Sequence, residues 1–503
     1  MNINLFVIIP LATTFLILIA PSQQKVKYVS LFGSFLLLVY SIYVFIKYYQ
    51  ISYMFDNGSI CFNLSFQYRF NWFPTLNISY FVGVDGLSTL MILMTSIVIF
   101  TGVLASWDLN FRVKEFFALL FVLVAGVYGV FISFDIFTFF VFYELAVLPM
   151  YLLIGIWGTG QKEYSAMKLT MMLMASSGLI LVGILAIYHQ SPLKTFDLLE
   201  LSQVKFCDEF QNLMFPVLFI GFGVLGAMYP FHTWSPDGHA SAPTSVSMLH
   251  AGVLMKLGGY GIIRICVFLL PAGARTWSLF FMILSTINII YGSLGALTQK
   301  DLKYITAYSS VSHCGFVLFG ISCLNFVGLK GAVLQMFSHG IMTALFFSLI
   351  GFVYKRTKTR VINDMQGLSK ILPKISVFFF IAGFASLGLP SLSGFIAETH
   401  VFVGGFLGNP WANGQVTSIC VTLAVASIVV TAVYVLRGIC QIFMGEVENK
   451  NFYLLKDAEI YEQITLTILV ISLFAVGILP LFFINLIESS IAPIINRLYL
   501  TNY

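Results

Sequence analysis

The sequence predicts an all-α polytopic membrane protein of about 14 transmembrane helices, with two inverted five-helix repeats and broken helices 7 and 12. Three observations predict it. Of 503 residues, 59% are hydrophobic and only 9% are charged, where a soluble domain carries about a quarter charged residues. Apolar segments of about 20 residues, the length a helix needs to cross the hydrocarbon core, recur from end to end. They lack the ten-residue alternation of a β-barrel, the other closed way to span lipid. Finally, two of these segments are interrupted by proline and glycine, five spans apart.

In order, the spans fall near 4–20, 29–48, 86–106, 115–133, 136–156, 168–188, 213–231, 244–269, 277–298, 304–324, 329–353, 375–398, 417–441 and 465–489. The first run, Leu5 to Ala20, lacks a basic leading stretch and a small-residue cleavage site, so it reads as a retained helix. Odd-numbered loops carry most of the cations, among them Lys25, Arg112, Lys168, Lys303, Lys355, Arg356 and Arg360. Even-numbered loops and the tail carry fewer, including Lys47, Arg69, Lys205, Lys330 and Arg497. The ratio is roughly two to one, which places the odd loops inside and both termini outside.

The seventh span contains Pro230 and runs into HTWSPDGHASAP; the twelfth contains Gly388, Pro390 and Gly394. Each proline removes a backbone hydrogen bond and crowds the preceding turn. Broken helices at membrane depth survive only when packed in protein or lining a wet cavity. Interruptions five spans apart suggest repeats of an odd number of helices, which are inverted with respect to one another. The organisation read from this is 1–110 for helices 1–3, 111–270 for the first repeat, 271–443 for the second, and 444–503 for a cytoplasmic loop and helix 14. The loop from Gly445 to Tyr461 reads as a solvated segment or a docking site.

The intramembrane ionisable set is small. Glu144 sits in the fifth span and Lys256 deep in the eighth, with His250 six residues earlier. His313 lies in the tenth span, His339 in the eleventh and Glu398 at the break of the twelfth. Of these, Glu144, Lys256, His250, His339 and Glu398 are the relay candidates; His313, with His232 at the seventh break and Lys168 at the start of the sixth span, is a secondary one. Arg264 and Arg437 lie nearer span ends, where a long side chain snorkels to the interface. A charge kept in hydrocarbon costs several kcal/mol, so an ionisable group there reads by default as functional. Any one histidine is equally well a packing residue; the set strung through the middle helices is the stronger signal.

Other motifs are declined. GFGVLG at Gly221–Gly226 matches a dinucleotide fingerprint, yet follows no strand and lies in an apolar helix. The seven cysteines include no CxxC, which argues against an iron–sulfur cluster, structural zinc or attached haem. Cys61 and Cys207 fall in loops on the same side, which leaves a disulfide between them open.

The stretch YPFHTWSPDGHASAPTSVSMLHAGVLMKLGGYGIIRI resembles the proton-translocating, antiporter-like membrane subunits of respiratory complex I. Within that family the stretch resembles the type called subunit 4 in mitochondria and chain M in bacteria. FVGVDGLS at 81–88, FYELAVLPMY at 142–151, KDLKYITAYSSVSHCGF at 300–316, MFSHGIMTALFF at 336–347 and LPSLSGFIAE at 389–398 match further family blocks. The resemblance covers about residues 80–440. It implies that Glu144 is the fifth-helix acid, Lys256 the central lysine, His339 the eleventh-helix histidine and Glu398 the proton-exit acid. The family usually also carries a lysine on helix 7; the aligned position here is near Leu225, and Gly221–Phe231 holds no charge. His232 or His250, with water, is therefore expected to take part of the input path.

The implied function is proton translocation in NADH:quinone oxidoreductase, driven by redox chemistry elsewhere. No cofactor is expected in this chain; flavin, iron–sulfur clusters and quinone are expected in partner subunits. Other membrane subunits, including neighbouring antiporter-like chains, are the expected partners, together with the lipid bilayer and without nucleic acid. The expected location is a bacterial inner membrane, with the mitochondrial inner membrane as the alternative. Competing readings are a subunit of a multisubunit cation/proton antiporter, or of a hydrogenase-type complex.

Overall fold

The structure is a computed structural model that describes residues 1–54, 64–447 and 449–500. Cys61 lies outside the described residues, so its pairing with Cys207 has no structural counterpart. The helices are α1 (Leu5–Ile19), α2 (Gln23–Met54), α3 (Gly86–Ala105), α4 (Val113–Ile132), α5 (Ile136–Trp157) and α6 (Lys162–Gln190). After a short α7 (Leu198–Gln203), the seventh span is α8 (Asp208–Leu225) followed by α9 (Trp234–Ser241). The eighth is one rod built from α10 (Thr244–Leu249), a π-helical segment at 250–254, α11 (Met255–Gly261) and a second π-helical segment at 262–267. Then come α12 (Pro271–Thr298), α13 (Leu302–Ser322), α14 (Phe326–Thr357), α15 (Pro373–Ser386), α16 (Ser393–Phe406), α17 (Gly414–Phe443), α18 (Ile460–Ile478) and α19 (Pro480–Leu500). Among the described residues, 12 helices are long and apolar enough to cross a membrane.

Helix starts follow from capping. A first turn leaves its N–H groups unsatisfied, and a short polar side chain just before it accepts from them. Asp85, Asp135, Asp301 and Asn325 do so for α3, α5, α13 and α14. Glu459 and Glu462 close a reciprocal capping box at the start of α18.

Both expected interruptions are present, with shifted edges. The seventh span stops at Leu225, ahead of Pro230, because Ala227 takes a left-handed φ of 52°. The twelfth breaks between Ser386 and Ser393, with Gly388 at φ 64° and Ser391 at φ 76°. Glu398 is therefore inside α16, beyond the break rather than at it.

Two elements differ from expectation. Residues 64–84 form an antiparallel hairpin of β1 (Ser65–Phe73) and β2 (Ile78–Val84), with Arg69 opposite Phe81. Asp135 accepts from the Ser79 amide at 3.1 Å, and Arg69 meets Asp197 at 3.0 Å, so the hairpin is pinned to the starts of α5 and α7. The span expected at 465–489 is two helices. Both are among the 12 helices long and apolar enough to cross a membrane, but α19 packs at one end of the bundle. Its residues meet Tyr48 at the end of α2, Leu87 at the start of α3, Lys330 at the start of α14, Phe268, and Trp411 in the loop before α17. All of these belong to one end, which a helix running along the membrane normal would not touch alone. This end, shared with the hairpin, is the hairpin end; the opposite one carries the odd loops and is the basic end. The core runs along the centre: every residue from 245 to 270 is buried, so this rod is enclosed by protein on all sides.

Candidate functional site

Lys256 sits at the middle of that rod, 2% exposed. A buried ammonium must find acceptors. Here the π-helical segment just ahead of it brings the Ala251 carbonyl within 2.5 Å of Nζ, and His339 of α14 presents Nδ1 at 2.7 Å. π segments recur at functional positions because the extra residue re-aims side chains. The His339 ring stacks at 5.1 Å on that of His313 from α13. His313 Nδ1 is 3.1 Å from Gln335 Nε2 and 3.6 Å from Glu398 Oε1. Glu398 reaches this point because the break turns Gly388 under it: a Cβ at residue 388 would stand 2.7 Å from Oε2. Lys256, His339, His313 and Glu398 thus form one buried line from α11 to α16.

A second cluster leads to Lys256 from α9. The rings of His239 and His250 are 4.4 Å apart, Trp234 lies 5.3 Å from His250, and His239 Nε2 is 3.4 Å from the sulfur of Met255. Neither nitrogen of His250, nor His239 Nδ1, nor His339 Nε2 meets a hydrogen-bond partner among the described residues. Buried polar atoms of this kind call for an ordered water or a functional role. Closer to the basic end, Lys168 Nζ bonds Asp237 at 2.7 Å, both about a quarter exposed, and Tyr304 donates to the same carboxylate at 3.3 Å. The last carbonyls of α9 receive two cations: Arg360 at Ala240 and Lys303 at Ala242, each at 2.7 Å. Positive charge is favourable at a helix C-terminus.

The structure separates the other candidates from this line. His232, 2% exposed, packs against Tyr229 and Tyr291, with ring centroids 5.7 and 4.7 Å away. Glu144 lies on the outward stripe of α5 with the exposed Val141, Leu148 and Tyr151, and its Oε1 meets no hydrogen-bond partner among the described residues. Pro230 and Pro390 both lie in non-helical segments. Arg264 does not snorkel: it is buried, paired with Asp85, bonded to Ser88 and set over the rings of Phe134 and Tyr260. Lys303, read as a loop charge, is 5% exposed. His239 was hidden in the same way, in a polar run that resembles a surface loop. Its spacing of 11 residues from His250 across Pro243 was the available signal. Among the described residues, no group of three or more His, Cys, Asp or Glu side chains stands ready for a metal ion.

The line joins titratable groups inside a bundle of helices long and apolar enough to span a membrane. The family model described as "NADH:quinone oxidoreductase/Mrp antiporter, TM" matches residues 133–437. "NAD(P)H-quinone oxidoreductase chain 4" of Gloeobacter violaceus is 35% identical over 95% of this chain and 89% of its own length. "NADH-quinone oxidoreductase subunit M" of Rickettsia bellii is 32% identical, with 99% of each chain covered. In fold, the chain superposes on one from respiratory complex I of Thermus thermophilus with a TM-score of 0.87, at 24% identity and over 98% of this chain and 99% of that one. This multi-pass membrane chain therefore belongs to the family of NADH:quinone oxidoreductase/Mrp antiporter transmembrane subunits.

Proposed function

We propose that the chain is a proton-translocating membrane-arm subunit of an NADH:quinone oxidoreductase, in which redox chemistry in partner subunits drives protons along the buried line. The single observation that carries this is Lys256, enclosed by protein and joined through His339 and His313 to Glu398. Protons reach the centre from the basic end by Lys168, Asp237, His239 and His250, with His232 beside them, and they leave toward Glu398. His250, packed against Trp234 and His239, takes over part of the role of the missing helix 7 lysine. Glu144 faces outward on α5, which suits a signal received from a neighbouring antiporter-like chain. Residues 111–270 and 271–443 act as the two halves, each with its broken helix.

The energetics suffice. A unit charge appearing about 4 Å away at an effective dielectric near 20 changes a site's energy by about 4 kcal/mol. Carrying one charge through 100 mV takes about 2.3 kcal/mol. The same reading places the chain in a bacterial inner membrane with both termini outside, beside flavin, iron–sulfur and quinone-binding partners.

The test is Lys256→Ala in the assembled complex. NADH-driven acidification of inverted vesicles is expected to disappear while the chain stays at its normal level. Undiminished pumping would overturn the proposal. The same preparation should co-purify with flavin and iron–sulfur subunits; recovery with antiporter chains alone would favour an antiporter complex instead.

A further inference from the structure

We propose that the second half has its own proton inlet, a narrow apolar-walled cavity leading from the basic end to a chain of hydroxyls that reaches His313 and Glu398, with Tyr434 of α17 as its conducting link. This rests on the pump reading above and adds a route that it does not include.

A cavity of about 30 Å³ lies among α13, α14, α15 and α17, room for about two water molecules. On α13 its wall is Leu302, Ile305, Thr306 and Ser309. Leu302 is the first residue of that helix, so the cavity descends about 10 Å from the basic end at 1.5 Å per residue. Phe346, Phe379 and Ile439 close its other sides. Apolar walls of this kind exclude hydrated ions and leave protons as the cargo.

The inner end is polar. Tyr434, 2% exposed, donates to Ser309 Oγ at 2.8 Å. Its phenol also lies beside the hydroxyls of Thr431 and Ser386. Ser386 Oγ is 3.5 Å from His313 Nε2, and His313 Nδ1 is 3.6 Å from Glu398. Thr306 and Ser310 spend their hydroxyl hydrogens on the carbonyl four residues back, as helix hydroxyls commonly do. Ser309 and Ser386 point instead at Tyr434 and His313. Each hydroxyl in such a chain takes one proton and releases another, so the hop leaves every group unchanged and needs no co-reactant. Glu398 is on this account loaded from the basic end as well as reached through Lys256.

The experiment uses the full complex in sealed vesicles, with Tyr434→Phe and Lys256→Ala compared to the unaltered chain at equal levels in the membrane. Tyr434→Phe keeps the ring and removes one link. It is expected to slow NADH-driven pumping about fivefold, the equivalent of one net hydrogen bond. The deficit should widen as the medium on the basic side is made more alkaline, because proton supply then limits; a packing defect would not track that pH. Should Tyr434→Phe fail to assemble, Ser309→Ala, which removes one oxygen from the same cavity wall, is read in its place. Pumping unchanged in the conduit variants but lost in Lys256→Ala overturns the inlet and leaves the pump standing. Pumping unchanged in Lys256→Ala as well removes both.

Discussion

Gly388 shows how one residue sets the geometry of the line. Its φ of 64° lies in the left-handed region, which costs a residue with a Cβ about 1–3 kcal/mol. Here a Cβ would also press on Glu398 Oε2 at 2.7 Å. Gly388→Ala is therefore expected to lower stability by about 1–3 kcal/mol and to displace the carboxylate from His313. The thermal midpoint of the purified complex reads the first effect and vesicle pumping the second; normal pumping would mean that the carboxylate's position is not critical. Lys256, His313, His339 and Glu398 were legible in the sequence because an ionisable group inside an apolar run has no solvated alternative. His239 and Lys303 were not, since each sits in polar text and is buried only by tertiary packing, His239 against His250 and Phe347 and Lys303 against the Ala242 carbonyl. That Glu144 stands apart from the line was also illegible: helical spacing gives the face of α5 but not what that face meets.

At the scale of the element, the two broken helices could be read from Pro230 and Pro390, whereas the π segments could not. His250–Leu254 and Ile262–Val267 contain no residue that marks a π turn, and their geometry comes from packing. α19 escaped for another reason. The apolar text continues through Gly477 and Pro480, so hydropathy sees one span where the chain turns across the hairpin end. The Lys330–Glu488 pair at 2.6 Å is 11% and 40% exposed, and a pair that accessible contributes at most about 1 kcal/mol. Glu488→Gln is accordingly expected to be almost silent in a thermal melt. Gly86 matters more, because a Cβ there would run into the backbone of Leu486. Gly86→Ala is expected to cost about 1–3 kcal/mol by overpacking and to lift α19. Cleavage by trypsin at Arg497, whose guanidinium now bonds the Val204 carbonyl, should then accelerate; an unchanged cleavage rate would show that α19 is held elsewhere.

Across the whole molecule, α14 meets α19 at one end through the weak Lys330–Glu488 pair, and is fastened at the basic end by Lys355 and Arg356 to a clasp. The Arg356 guanidinium grips Glu462 with bonds of 3.1 and 2.5 Å, and Glu462 is fully buried. Asp457 accepts from the Lys374 amide at 2.8 Å, bringing the start of α15 into the same clasp. Asp108, in the loop after α3, joins through Lys355 and Tyr461. Partial burial would raise its carboxyl, but the hydrogen bonds from Lys355 and Tyr461 outweigh that and hold it below the usual carboxylate range. A group depressed in the folded state stabilises fully above its unfolded value, near 3.9, and loses that contribution as pH falls through the folded value. The clasp should therefore be insensitive to pH between about 6 and 8 and loosen only below about 4. Asp108→Asn is expected to flatten that acid limb and leave neutral stability only slightly changed, because Asp108 is half exposed. Arg356→Met should cost far more, about 3–5 kcal/mol, since it removes both guanidinium bonds to the buried Glu462 and leaves only Lys355, 3.6 Å away, as its cation. Thermal midpoints of both variants across pH 3 to 8 separate these effects. A steep acid limb surviving in Asp108→Asn would assign the titration to another carboxylate, and a mild Arg356→Met would mean that Lys355 and the capping box suffice to hold Glu462.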